Sequence, residues 1–265
     1  MARMPGVPWR PLASNWASQP ALSAHHIVCL HTMVGSLSSA ENYFRLEGYG
    51  GAESHFGVGY NGTIYQWQDT SRRADANLDG NDRVISIETA DMGTGFPAWS
   101  GTNVPAWTSA QLDAIARILA WCHTEHGIPL KLIPNSAQSS RGIGYHRQGV
   151  DPWRCSSCEL WSNVYGKVCP GDRRITQIPT VIARAIAFGD DMTPEQAKQL
   201  DDLHKRLGNV LDPVNSKQYW VTNGLKWMWS WVAVRTPAQI ARVEDKVDQL
   251  AAAQAPPWTP PRSRR

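Results

Sequence analysis

An α/β fold is predicted for most of this 265-residue chain, and three stretches predict it. The apolar run Ile27-Val28-Cys29-Leu30-His31 reads as a buried strand. His55-Phe56-Gly57-Val58-Gly59-Tyr60 and Thr63-Ile64-Tyr65-Gln66-Trp67 read as two strands joined at Asn61-Gly62. Leu112, Ile115, Ala116, Leu119 and Cys122 recur at helical spacing. Strands interspersed with helices around one sheet point to the α/β class.

Taken in order, residues 1–24 form an irregular arm punctuated by Pro5, Pro8, Pro11 and Pro20, without the apolar centre of a secretion signal. Ser38-Ser39-Ala40-Glu41 has the form of a capping box and predicts a short helix through Leu46, ended by Gly48, Gly50 and Gly51. In the hairpin, Asn61 and Gly62 are both expected at positive φ. A polar loop over 72–83 leads into Val84-Ile85-Ser86-Ile87-Glu88. Its period-2 pattern sets Val84, Ser86 and Glu88 on one face and Ile85 and Ile87 on the other. The loop over 91–107 carries Trp99 and Trp107 and is expected to wall a groove. Thr108-Ser109-Ala110-Gln111 opens the clearest helix, which Gly127 and Pro129 stop. His123 and His126 near its end suit cap and solvent roles. A last domain helix is predicted over 178–188 with Pro179 in its first turn.

Beyond residue 190 the pattern changes. Thr193-Pro194-Glu195-Gln196 and Thr236-Pro237-Ala238-Gln239 each read as a helix start. Between them the tryptophans of Leu225-Lys226-Trp227-Met228-Trp229-Ser230-Trp231 alternate like a strand. The expected organisation is an arm over 1–24, a main domain over 25–190, a small, mainly helical region over 191–255 and a disordered tail over 256–265. The net charge of +3 is too mild to argue for nucleic acid, yet compatible with an anionic polymer. No apolar run is long enough to span a bilayer, so no membrane insertion is expected. Five cysteines leave at least one unpaired. Cys29 and Cys122 read as small core hydrophobes.

The chemistry concentrates later in the chain. Tyr145-His146-Arg147-Gln148-Gly149 and Lys167-Val168-Cys169-Pro170-Gly171-Asp172 carry a histidine and a cysteine separated by a loop. These are the nitrogen and sulfur donors that zinc prefers. Lys167 shares a face with Cys169 if that segment is extended. His31, at the exit of the first strand, is placed to face a cleft. Glu88, a carboxylate ending an apolar strand, must be solvated, paired or catalytic.

His31, Tyr145-His146-Arg147 and Lys167-Val168-Cys169-Pro170-Gly171 resemble the zinc motifs of the N-acetylmuramoyl-L-alanine amidases, a family that includes phage endolysins and peptidoglycan recognition proteins. The resemblance runs over residues 27–188. It implies a mixed central sheet flanked by helices, with Zn2+ in a surface groove held by His31, His146 and Cys169, and a fourth position for water. It implies Glu88 as the catalytic acid–base and Lys167 as the group that stabilises the oxyanion. The bond cut is the amide between the lactyl group of N-acetylmuramic acid and L-alanine of the peptidoglycan stem. Asn81 also fits the family pattern, and His55 is implied to be structural or part of the cleft wall. Many relatives carry a tyrosine where Ser54 stands, so Tyr60 and Tyr145 become alternative oxyanion donors. For residues 191–255 the resemblance leaves wall binding or self-association. An enzyme of this kind without a leader is expected to be made in a host cytoplasm and to reach the wall after release. Two other readings stand beside this one. A non-catalytic recognition module keeps the fold but lacks the cysteine, which is present here as Cys169. Cys155-Ser156-Ser157-Cys158 can close a four-ligand structural zinc site with His146 and Cys169, form a disulfide, or remain two thiols.

Overall fold

The computed structural model describes residues 1–12, 16–46, 53–91 and 100–190. Trp99, the helix starts at Thr193 and Thr236 and the tryptophan run lie outside the described residues. By its contacts the chain divides into Met1–Thr193 and Pro194–Arg265, and everything below concerns the first unit.

Five strands form one mixed sheet in the order β3-β2-β4-β1-β5. β1 (Ile27–Leu30) is an interior strand, parallel to β4 (Val84–Thr89), the middle strand, on one side and to β5 (Gly142–Tyr145) on the other. β2 (Phe56–Val58) runs parallel to β4, and β3 (Ile64–Gln66) closes the sheet antiparallel to β2. Because β1 is covered on both faces, it is an unbroken apolar run. Val28, Leu30, Ile85, Ile87 and Ile143 face one core with Ile115, Leu119, Ile178 and Val181. Ile27, Cys29 and Val84 face a second cluster with Ile133 and Trp161. Each fully buried aliphatic chain contributes roughly 1.5–3 kcal/mol, so both faces of β1 are anchored.

Two helices cover the larger core. α2 (Ser109–His126) starts at the capping box of Thr108 and Gln111 and ends at Gly127, whose φ of 68° is the left-handed cap expected there. α3 (Asp172–Asp190) begins six residues earlier than the sequence suggested, so Pro179 lies inside it. Proline removes one backbone donor, but Ile178, Val181 and Ala185 are fully buried around it and hold the helix in place. α1 (Leu37–Phe44) also starts elsewhere: its capping box is Ser36 with Ser39. Glu41 is instead buried and paired with Arg10 and Arg45.

The hairpin turns through three residues. Gly59 N–H donates to Thr63 O and Gly62 N–H to Gly59 O, and only Gly62 has positive φ, at 82°. Trp107 is buried and donates from Nε1 to Thr89 Oγ1, so it belongs to the core rather than to a groove wall. The arm lies on the domain: Trp9 bridges Gln66 in parallel, and Ala2 N–H donates to Asp69. That pairing covers the edge presented by β3.

Candidate metal centre

Strand register brings the predicted residues together. Leu30 is opposite Ile87 on one side and Tyr145 on the other. His31, Glu88 and His146 are the next residue along each of three parallel strands, so they emerge in one row at the carboxyl ends. That edge of an open α/β sheet is where ligands bind. His146 begins a short 3-10 turn, His146–Gly149, which carries the chain off the sheet. Cys169 arrives from the loop before α3. There Gly171 has φ 101°, and a Cβ on it would stand 2.5 Å from Val104 Cβ.

The ligand atoms of His31, His146 and Cys169 lie within 4.8 Å of one another, and all three side chains are buried. The hydrogen bonds fix which ring nitrogen is available. His31 Nε2 donates to Asn77 Oδ1 at 3.3 Å, and His146 Nε2 donates to the Trp161 carbonyl at 3.0 Å. A carbonyl oxygen only accepts, so each Nε2 carries the proton and each Nδ1 presents a lone pair. His146 Nδ1 is buried without a partner. Cys169 Sγ accepts the backbone N–H of Thr32 at 3.3 Å. Two bare imidazole nitrogens and a sulfur at this spacing fit a borderline-soft cation such as zinc, and the tied outer nitrogens are the usual means of aiming such ligands.

Around the donors the pocket resists charge. Burial lowers His31 to about 3, helped by the nearby Lys167 ammonium, and lowers His146 well below the ordinary imidazole value. Burial pushes the Cys169 thiol up to about 12. Glu88 is raised to about 7, chiefly by burial, with Lys167 opposing the rise. Its Oε1 lies 3.8 Å from His31 Nδ1, beyond hydrogen-bond reach, and its Oε2 is buried without a partner. The Glu88 side chain keeps 15% exposure against 2% for His31, so it is the more accessible of the two.

Lys167 is half-buried, and its charge is felt by Glu88, His31, His146 and Cys169. The stretch 167–169 is not a strand, however: it runs irregularly into a turn in which Gly171 N–H donates to Val168 O. The loop, not alternation, brings Lys167 beside Cys169. Cys155 and Cys158 form a disulfide, which removes both thiols from the donor set and overturns the closed four-ligand site. Ser54 is buried with its hydroxyl directed at the Ser86 and Phe56 carbonyls, so it does not stand in for a tyrosine. His55 has both ring nitrogens engaged, Nε2 with Arg72 O and Nδ1 with Ser86 N–H. Tyr145 lines a cavity of about 480 Å³ with Arg147, Gln148, Trp153 and Asp172.

Apart from Asn81, sequence reasoning missed the residues that support the donors. Asn77 orients His31 and is itself held by Asn81, whose Oδ1 accepts the Asn77 N–H. The Trp161 carbonyl is set by an indole wedged between Gly80 and Gly149, where any Cβ would meet the ring. Thr32, Thr89 and Arg174 were missed as well. Only the register carried a signal for them: Thr32 and Thr89 directly follow His31 and Glu88 at the strand exits.

Buried nitrogen and sulfur donors beyond the carboxyl ends of parallel strands, with a carboxylate beside them, define an α/β domain built around a candidate hydrolytic metal centre. The chain belongs to the N-acetylmuramoyl-L-alanine amidase family: the family model of that description matches residues 20–172, more than half of its length. It is therefore an enzyme, an amidase of peptidoglycan. Among solved structures it is similar to the endolysin N-acetylmuramoyl-L-alanine amidase LysCS from Clostridium intestinale, at 12% identity and TM-score 0.44, over 69% of this chain and 99% of that one. It is also similar to the hydrolase AmiA of Staphylococcus aureus in complex with its ligand, at 11% identity and TM-score 0.48, over 69% and 84% of the two chains. Drosophila peptidoglycan recognition protein SA is similar at 14% identity and TM-score 0.42, over 66% and 91%. No curated protein sequence matches the chain.

Proposed function

We propose that the chain is a zinc-dependent amidase that hydrolyses the bond between the lactyl carbonyl of N-acetylmuramic acid and the nitrogen of L-alanine. The observation that carries the reading is the convergence of the ligand atoms of two histidines and a cysteine within 4.8 Å, beside the carboxylate of Glu88. His31, His146 and Cys169 would hold the ion. Zinc, when bound there, supplies Lewis-acid polarisation and a water acidified toward neutrality. Glu88 accepts the proton of the attacking water and returns it to the departing amine, the general-base and general-acid duty of a carboxyl group that burial holds above its ordinary range. Lys167 places its ammonium where negative charge grows on the carbonyl oxygen, so it binds the transition state more strongly than the substrate.

Purified enzyme assayed on bacterial walls tests the reading directly. Muropeptides with a free L-alanine amine should be released, should disappear on chelation and should return with added zinc. Release that persists after complete chelation, or a new reducing end in place of a new amine, would contradict it. The motif resemblance further supports an endolysin of phage type, made in the host cytoplasm and needing a membrane lesion to reach the wall. Co-expression with a pore-forming membrane protein should then lyse cells that tolerate the amidase alone. We assign residues 191–255 to wall binding or self-association. A chain ending near 190 should still cut soluble muropeptides while losing activity on intact walls or changing its oligomeric state.

A further inference from the structure

We infer that Arg174 is a positioning residue of this metal centre: its buried guanidinium ties together the backbone segments that carry His31, Glu88 and Cys169. The inference rests on the zinc reading proposed above. Arg174 is the third residue of α3 and is fully buried. Its Nη1 donates to Thr32 Oγ1 at 2.8 Å, to Thr89 Oγ1 at 2.7 Å and to Thr89 O at 3.2 Å. Nη2 donates to Ala90 O at 2.8 Å and Nε to Pro105 O at 2.9 Å. Every partner is an acceptor, and all three guanidinium nitrogens are engaged.

Those partners are one residue removed from the chemistry. Thr32 follows His31, and its backbone N–H is the donor to Cys169 Sγ. Thr89 follows Glu88, and its hydroxyl donates to the His31 carbonyl at 2.5 Å while accepting from Trp107 Nε1. Thr32 Oγ1 donates onward to Asp91 Oδ2 at 3.1 Å. One guanidinium thus fixes the exits of β1 and β4 relative to each other and to the start of α3, the helix that follows Cys169. Packing alone does not explain an arginine here. A buried cation carries a desolvation cost, and an apolar chain of similar volume would fill the space without it. Lysine cannot replace the fork, since one ammonium cannot reach five acceptors arranged around a plane.

The test uses the full chain, with Arg174→Lys, Arg174→Met, Thr32→Val and, as a control on the same helix, Arg184→Met, whose partner is Asp113. Zinc affinity is measured by competition with a chromophoric chelator. The thiolate band of the cobalt(II)-substituted protein and the thermal midpoint are recorded alongside. Arg174→Lys should weaken zinc binding about 10–100-fold, the usual cost of losing a group that orients ligands, and should shift the cobalt band. Thr32→Val, which keeps the backbone N–H, should move both readouts in the same direction by less, and Arg184→Met should leave them unchanged. If Arg174→Met does not fold, the lysine and Thr32 variants decide. A lowered thermal midpoint with wild-type zinc affinity and an unshifted cobalt band would overturn the inference and leave Arg174 a structural residue. Wild-type protein that binds no zinc would instead overturn the metal assignment beneath it.

Discussion

Two sets of buried histidines in this domain look alike until their second nitrogens are compared. His31, His146 and His55 are all buried, and burial lowers the pKa of each, His31 to about 3 and His55 to about 4. All three donate from Nε2 to an oxygen that can only accept. The difference is at Nδ1. In His55 it accepts Ser86 N–H, so the ring is saturated and joins two strands. In His146 it meets no partner, and in His31 it lies 3.8 Å from Glu88. His126, near the end of α2, is half-buried, where cap and solvent roles were expected: its Nε2 bonds to Thr70 Oγ1 and its ring stacks on His25 at 4.0 Å. Neither burial nor pKa separates a ligand from a structural histidine here. Among the rings of His31, His146 and His55 unfilled hydrogen-bonding capacity does, but it also needs convergence: His26 Nδ1 is likewise buried without a partner, and only His31, His146 and Cys169 bring their donor atoms together among the described residues.

The same criterion ranks the substitutions. Glu88, with a buried unpartnered oxygen, should matter most for turnover. Glu88→Gln is expected to keep its metal and lose about 10²–10⁴-fold in kcat; a rate within a few-fold of wild type would make Glu88 a strand residue only. Lys167→Ala should cost roughly 10²–10³-fold, in kcat more than in KM, by analogy with removing one oxyanion donor. A raised KM with unchanged kcat would demote Lys167 to a substrate contact. Asn77→Ala frees Nε2 of His31 and should weaken metal binding about 10–100-fold while leaving the fold intact. Unaltered affinity would mean that the strand exit alone aims the ring.

His55 should affect stability rather than activity. Its folded pKa of about 4 lies below the ordinary ~6.5 of an unfolded chain, so the unfolded state binds the proton first as pH falls. The stabilisation is complete above ~6.5 and is lost progressively down to about 4, on the order of 3 kcal/mol in all. Denaturation curves of wild type and His55→Gln, collected across that window, should show a shallower acid slope in the variant. Equal slopes would mean that His55 can charge without breaking its bond to Ser86.

Much of the frame was legible before the fold was known, because its signals are local. The apolar run of β1, the period-2 pattern of β4 and the caps of α2 each sit within a few residues. β5 was missed: in Gly142-Ile143-Gly144-Tyr145 every second residue is a glycine, which masks the strand preference of Ile143 and Tyr145, and the segment pairs with β1 beside it. The start of α3 was misplaced because proline inside a helix resembles proline at a first turn. Arg174 and Asn77 gave no signal, since an arginine in a helix and an asparagine in a polar loop are usually solvated, and only the assembled site shows otherwise. For the Cys155–Cys158 pair, spacing permits a disulfide, two thiols or a ligand pair, and only the fold chooses among them.

Metal stoichiometry across the two histidine sets tests the central claim most directly. Zinc bound per chain should be measured on wild type, His31→Ala, His146→Ala, Cys169→Ala and His55→Ala, with the Cys155→Ser/Cys158→Ser double variant alongside. One tightly held zinc is expected in wild type, His55→Ala and the double-serine variant, and its loss in the other three. Full retention in both His31→Ala and Cys169→Ala, or loss in His55→Ala with the fold intact, would contradict the account.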